Sequence, residues 1–173
     1  MQTNKVSTNE AFKRPAPITE FTGELLSSPF MTNDDLVLYA QRPAPEKGKF
    51  DVVRSHRTKK GESLSKLEVV PINSGSLNIG LGSVSNDEQL LFGYSRIPFD
   101  GKSKNSLVVL TRSKVSSGFE KPISIDLPDR PPYSTFPRYS QLNRELPFSG
   151  RSDTTRGARL WIVRDFEPLA AKP

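Results

Sequence analysis

The segment Arg54 to Glu62, RSHRTKKGE, holds the densest set of reactive side chains in the chain: Arg54, His56, Arg57, Lys59 and Lys60, closed by Gly61. With Lys47 and Lys49 just upstream, it reads as an exposed connection between two strands that can hold phosphate groups by charge. Phe50 is the one aromatic nearby and its place in a strand assigns it to the core, so base stacking is not expected. A second basic group is Arg151, Arg156, Arg159 and Arg164, in a Gly-containing connection and the last strand. Guanidinium forks bind carboxylates and phosphates bidentately, so this group suits subunit contacts and also intrachain pairing with Asp153, Asp165 or Glu167. Pro131, Pro132 and Tyr133 present a proline-rich segment that could dock in an aromatic groove. A Pro-Pro-x-Tyr ligand has a residue between the second Pro and Tyr, which this segment lacks, so a rigid crossover is the stronger expectation.

Catalytic arrangements are sparse. The chain has no Cys and one His, which removes thiolate nucleophiles, disulfide frameworks and any site needing two imidazoles. No cofactor or metal is expected, and no small-molecule substrate. The acidic pairs Asp34–Asp35 and Asp87–Glu88 sit in turn-like sequence, where carboxylates serve as caps or stay solvated rather than forming an acid–base dyad. No G-x-S-x-G elbow positions a serine nucleophile. The Gly80–Gly82 pair lies inside a strand pattern and implies a bulge or a close backbone approach. The reading is a chain that is not an enzyme.

The elements that must position these groups are strands. Apolar residues recur with period two over short runs bounded by Gly, Ser, Asn, Asp and Pro. Eight such runs stand out: 36–41, 49–55, 66–72, 76–84, 89–97, 106–115, 122–127 and 158–166. One local helical pattern occurs, Ser140 to Leu146. Leu36 to Gln41 could also open a helix capped by Thr32. Four prolines from Pro128 to Pro137 demand extended or turn-like chain that cannot be a central strand. The expected fold is mainly β: an antiparallel β-sandwich or jelly-roll-like barrel of about eight strands, with an extended N-terminal arm and one short helix. Residues 1–34 form the arm, 35–167 the sandwich and 168–173 a tail. No internal repeat is evident.

Charge and size narrow the class. The 173 residues carry a net charge of +6, and only 34% are hydrophobic, so one small core is expected. Residues 42–66 hold eight Lys or Arg against three acids, and residues 1–41 three against five. No signal peptide, transmembrane segment or lipidation motif is visible.

In architecture and composition the chain resembles small viral structural proteins. It is similar in size and character to plant rhabdovirus matrix proteins, and in strand count to single jelly-roll coat proteins of small plant viruses. Lys114 to Leu127, KVSSGFEKPISIDL, is similar to the β-core of plant-virus movement proteins. These resemblances imply a self-associating matrix or coat component of the virion and host cytoplasm, with nucleoprotein, RNA or an anionic lipid surface as partners. The alternative is a monomeric RNA-binding accessory or movement protein. The negative segment 1–41 departs from the Arg-rich arm of the coat family, and Pro131–Tyr133 departs from the late-budding motif of the matrix family.

Overall fold

A computed structural model describes residues 18–74, 77–95, 105–152, 154 and 157–168. Eleven strands in three antiparallel sheets make up the described fold, with one 3-10 turn at Thr19–Phe21 as the only helical element there. The first sheet joins β1 (Ser27–Met31), β2 (Val37–Pro43), β3 (Phe50–His56) and β4 (Glu68–Val69) in chain order. The second joins β5 (Ile79–Val84), β6 (Leu90–Ser95), β7 (Ser106–Thr111) and β8 (Ile123–Ser124), again in order. The third has β9 (Tyr133–Thr135), β10 (Leu146–Arg151) and β11 (Arg159–Val163). Each sheet is therefore a meander in which every strand pairs with its chain neighbour. A jelly roll requires Greek-key crossovers, and the described strands make none.

The expectation of a mainly β chain holds, and each of the eight apolar runs contains a strand. Leu36 to Gln41 lies in β2 rather than in a helix, because Thr32 turns its hydroxyl to the Val37 N–H of a tight turn (3.0 Å). The expected helix at Ser140 to Leu146 is not present. Ser140 and Glu145 bridge to each other across a turn, and Leu146 starts β10. The apolar pair Leu142 and Leu146 is split, with Leu142 exposed and Leu146 buried.

Part of the expected arm belongs to the first sheet. Phe30 pairs with Tyr39 and Met31 with Leu38, so residues 27–31 are sheet, while residues 1–17 lie outside the described residues. The tail beyond Pro168 lies outside them too. The proline-rich stretch contributes β9 at a sheet edge, where a missing N–H costs no ladder bond.

The second sheet is buried on both faces, which explains its near-continuous apolar runs. Leu81, Leu91, Val108 and Leu110 pack with Val37, Tyr39 and Val52 of the first sheet. Phe92, Tyr94, Leu107 and Val109 pack with Leu146 and Phe148 of the third. Glycines let the layers close. A Cβ on Gly80 would lie 2.2 Å from the Tyr94 ring, and one on Gly82 2.2 Å from the Pro137 carbonyl. The β5–β6 register shifts between Leu81 and Ser83, the bulge that Gly80–Gly82 implied.

An internal repeat is present, contrary to the expectation. Thr32, Ser85 and Ser140 each donate their backbone N–H five residues ahead, to Val37, Leu90 and Glu145, at 2.9 Å in all three cases. Asp35 and Glu88, at the same place in the first two turns, share positive φ of 58° and 59°, whereas the third turn has its positive φ one residue later, at Arg144 (51°). In the first two turns Asp34 and Asp87 each accept from the N–H two residues on, at 3.1 Å. Arg57 and Arg112 each donate Nε to the carbonyl of the positive-φ residue, at 2.7 Å. The first two turns share the pattern hydroxyl-Asn-Asp-acid, whereas the third reads Ser-Gln-Leu-Asn and keeps the closing backbone bond alone.

Candidate functional site

Two regions concentrate functional side chains: a polar hub between the first two sheets, and the third sheet. The hub is centred on Glu88, placed by the β5–β6 turn. Its carboxylate accepts from Arg54 Nε at 2.7 Å and Arg54 Nη2 at 3.0 Å, and from the Tyr39 hydroxyl. Arg112 donates Nη2 to the Tyr39 oxygen (2.8 Å) and lies 4.4 Å from the Phe119 ring centroid. Burial pushes the Glu88 carboxyl up, yet the Arg54 and Tyr39 hydrogen bonds and the two guanidinium charges hold it below the usual range. Burial and the Glu88 contact raise the Tyr39 phenol. The hub cross-links two layers with every charged group paired, a structural role.

This changes the reading of the basic segment. Arg54 belongs to the hub rather than to an open phosphate grip. His56 sits at the strand end with Nδ1 3.2 Å from Ser65 Oγ. Arg57 is held by the Asp35 carbonyl, and Lys60 pairs with the Asp35 carboxylate at 2.7 Å. Lys59 makes no ion pair among the described residues. Lys47 and Lys49 do not join this group. They lie in the β2–β3 turn, at the opposite end of β3, and seven extended residues span about 20 Å. Lys49 is paired with Glu46 at 2.8 Å.

The proline-rich candidate is built into the third sheet. Pro131 is buried against Gly150, its carbonyl accepts from Ser134 Oγ at 2.7 Å, and the Pro132 carbonyl accepts from Asn105 N–H. Arg151 stacks over the Tyr133 ring at 4.7 Å. The crossover reading of Pro131, Pro132 and Tyr133 fits this placement. Arg159 lies exposed on β11, Arg164 approaches Glu145 (3.6 Å) rather than the acids expected from sequence, and Arg156 lies outside the described residues.

The third sheet departs from the other two in one respect. Aligning the repeated turns makes Gln41, Tyr94 and Ser149 equivalent, and their cross-strand partners are Val52, Leu107 and Leu160. Val52 and Leu107 are buried, whereas Leu160 is 73% exposed. By the same rule Val53, Val108 and Trp161 correspond; the two valines are fully buried and Trp161 is 41% exposed. Ile162, next along, is 46% exposed, against 2% for its counterpart Val109. Trp161 stacks on Phe148 at 6.5 Å, leaving the β11 edge and the Leu160–Ile162 face bare. Sequence reading found the alternation of this strand but not its exposure. The signal was there to be used: four consecutive apolar residues, Leu160 to Val163, between Arg159 and Arg164.

Among the described residues no helix is long and apolar enough to cross a membrane. No protein-family model matches the chain, and no curated protein is similar enough to count as a relative.

Proposed function

We propose that this chain is a non-enzymatic assembly protein that associates with copies of itself through its third sheet. The observation that carries this reading is the exposure of Leu160 and Trp161 at positions whose counterparts in the other two sheets are buried, with Ile162 beside them exposed where Val109 of the second sheet is buried. Leu160 and Ile162 share one face of β11, and adjacent exposed apolar side chains of this kind are a feature of interaction sites. Fully burying a side chain of this kind stabilises by about 1.5–3 kcal/mol, so three of them supply a useful drive for association. The matrix-type role that the sequence resembles is a role of this kind. The coat-type resemblance rests on strand count, and the consecutive meanders do not add a jelly-roll topology to it.

Sedimentation velocity from sub-micromolar to tens of micromolar protein tests the proposal. A sedimentation coefficient that rises with concentration supports it, and Leu160→Asp should abolish that rise. A wild-type chain that stays monomeric throughout refutes it.

Polyanion binding is a second reading, favoured by Lys59, which projects from a turn also carrying Arg57 and Lys60 without an acid partner among the described residues. The engagement of Arg54, Arg57, Lys49 and Lys60 within the chain makes this a weaker attraction than residue counting suggests.

A further inference from the structure

The direction of the backbone groups along β11 can be worked out from its neighbour. In an antiparallel pair the N–H and C=O of one residue point to the same side, and directly opposed residues alternate between bonded and non-bonded pairs. The Pro147 carbonyl accepts from the Arg138 N–H at 2.9 Å, so Pro147 directs its backbone away from β11. Pro147 opposes Ile162, which makes this a non-bonded pair and turns the N–H and C=O of Ile162 away from β10. Leu160, two residues away, shares that direction. Leu160 and Ile162 therefore present their backbone groups at the free edge of the sheet, while Arg159, Trp161 and Val163 serve the ladder to β10.

The other two sheets use this same edge. The Val52 carbonyl accepts from the Val70 N–H at 2.8 Å, and the Leu107 carbonyl accepts from the Ile125 N–H at 2.9 Å. Val52 and Leu107 are the counterparts of Leu160, and in each case the donor belongs to the chain at the fourth strand. Beyond β11 no described strand pairs. Edge strands are usually blunted by lysine, proline or a bulge; the run Leu160 to Val163 has none of these.

Resting on the assembly reading above, we propose that the free edge of β11 pairs antiparallel with β11 of a second copy, about a two-fold axis through Trp161. This register is self-complementary. Leu160 opposes Ile162 of the second copy in a bonded pair, twice over, satisfying all four outward backbone groups, and Trp161 opposes its own copy. The face alternation of each sheet continues across the junction, as it must when one face is apolar. Charges are compatible as well: Arg159 opposes Val163 of the second copy, so the Arg159 side chains of the two copies do not meet. A two-fold contact of this kind closes on itself, the commonest form of oligomer.

Two variants test the pairing. Ile162→Pro removes an N–H from the free edge without touching the β10 ladder, so it should keep wild-type circular dichroism and melting while sedimenting as a monomer where the wild type associates. The native chain has no Cys, which allows site-specific cross-linking. Opposed residues at about 5.5 Å between Cα atoms fall within disulfide reach. Leu160→Cys mixed with Ile162→Cys should give a disulfide-linked dimer under mild oxidation, several-fold faster than Leu160→Cys alone, and Leu142→Cys, also at an exposed site, should give little. Association that survives Ile162→Pro, or cross-linking no faster for the mixed pair than for Leu142→Cys, overturns this pairing while leaving self-association standing. Loss of association in Ile162→Pro without mixed cross-linking assigns the edge to a different strand and equally overturns it. A monomeric wild type refutes the assembly reading itself.

Discussion

The Tyr39 hydroxyl on β2 donates to the carboxylate of Glu88, 49 residues further along the chain, and so fastens the first sheet to the second. Glu88 reaches this position because its own backbone is held at a φ of 59°, a conformation costly for a branched-chain residue but tolerable in a turn whose hydrogen bonds fix it. Removing the two partners should have unequal consequences. Tyr39→Phe leaves Glu88 bound to Arg54 and should cost about 1–2 kcal/mol in urea unfolding. Glu88→Ala takes the carboxylate away from half-buried Arg54 and leaves the buried Arg112 charge without its counter-ion, and should cost about 3–5 kcal/mol. A double-mutant cycle in which the two losses simply add would show that the hydroxyl–carboxylate contact contributes nothing.

The same carboxylate makes stability depend on pH in a definite direction. Its folded pKa is held below the unfolded value of about 4.3, so its contribution is present above that value and is lost as pH falls through the folded one. Wild type and Glu88→Gln compared by urea midpoint should differ most at pH 7 and converge below pH 4. A gap that stays constant into acid would contradict the assigned hydrogen bonds.

Gly82 marks where two layers touch through backbone. A methyl group there meets the Pro137 carbonyl at 2.2 Å, and neither main chain can withdraw without disturbing a sheet. Gly82→Ala should therefore destabilise by more than about 3 kcal/mol, whereas Gly157→Ala, with open space around it, should change thermal stability by less than about 0.5 kcal/mol.

The basic turn makes a separable prediction. Lys59→Glu should weaken binding to heparin or RNA and flatten its dependence on log salt, with no change in melting. Arg57→Glu should lower stability too, because Arg57 clamps the Asp35 carbonyl. Unchanged binding in both variants, measured by fluorescence anisotropy, would remove polyanion contact from the account.

How far the sequence reveals this fold depends on the element. Strands flanked by turn residues, such as β5 with Leu77, Ile79 and Leu81, announce themselves by alternation. The three strands missed share a cause. β10 carries Pro147 and Gly150, which mask a buried pair, Leu146 and Phe148. β9 lies in a proline cluster, and β1 contains Pro29 and a positive φ at Ser28. Local propensity opposes each of these strands, and tertiary packing overrides it. The hub was half visible as the Asp87–Glu88 pair, but nothing in residue order places Arg54 and Tyr39 beside Glu88. Counting cations finds Arg57, Lys59 and Lys60 in one turn but groups Lys47, Lys49 and Arg54 with them, because which cations are neighbours or already paired is a property of cross-strand register.

The central claim is that the third sheet presents an unfilled edge at Leu160 and Ile162. Residue-resolved amide hydrogen exchange measures it directly. These two amides should exchange rapidly in dilute protein and become protected as concentration rises, while the Trp161 and Val163 amides remain protected throughout. Fast exchange at Leu160 and Ile162 at every concentration where the protein associates, or protection of both in the dilute monomer, would contradict it.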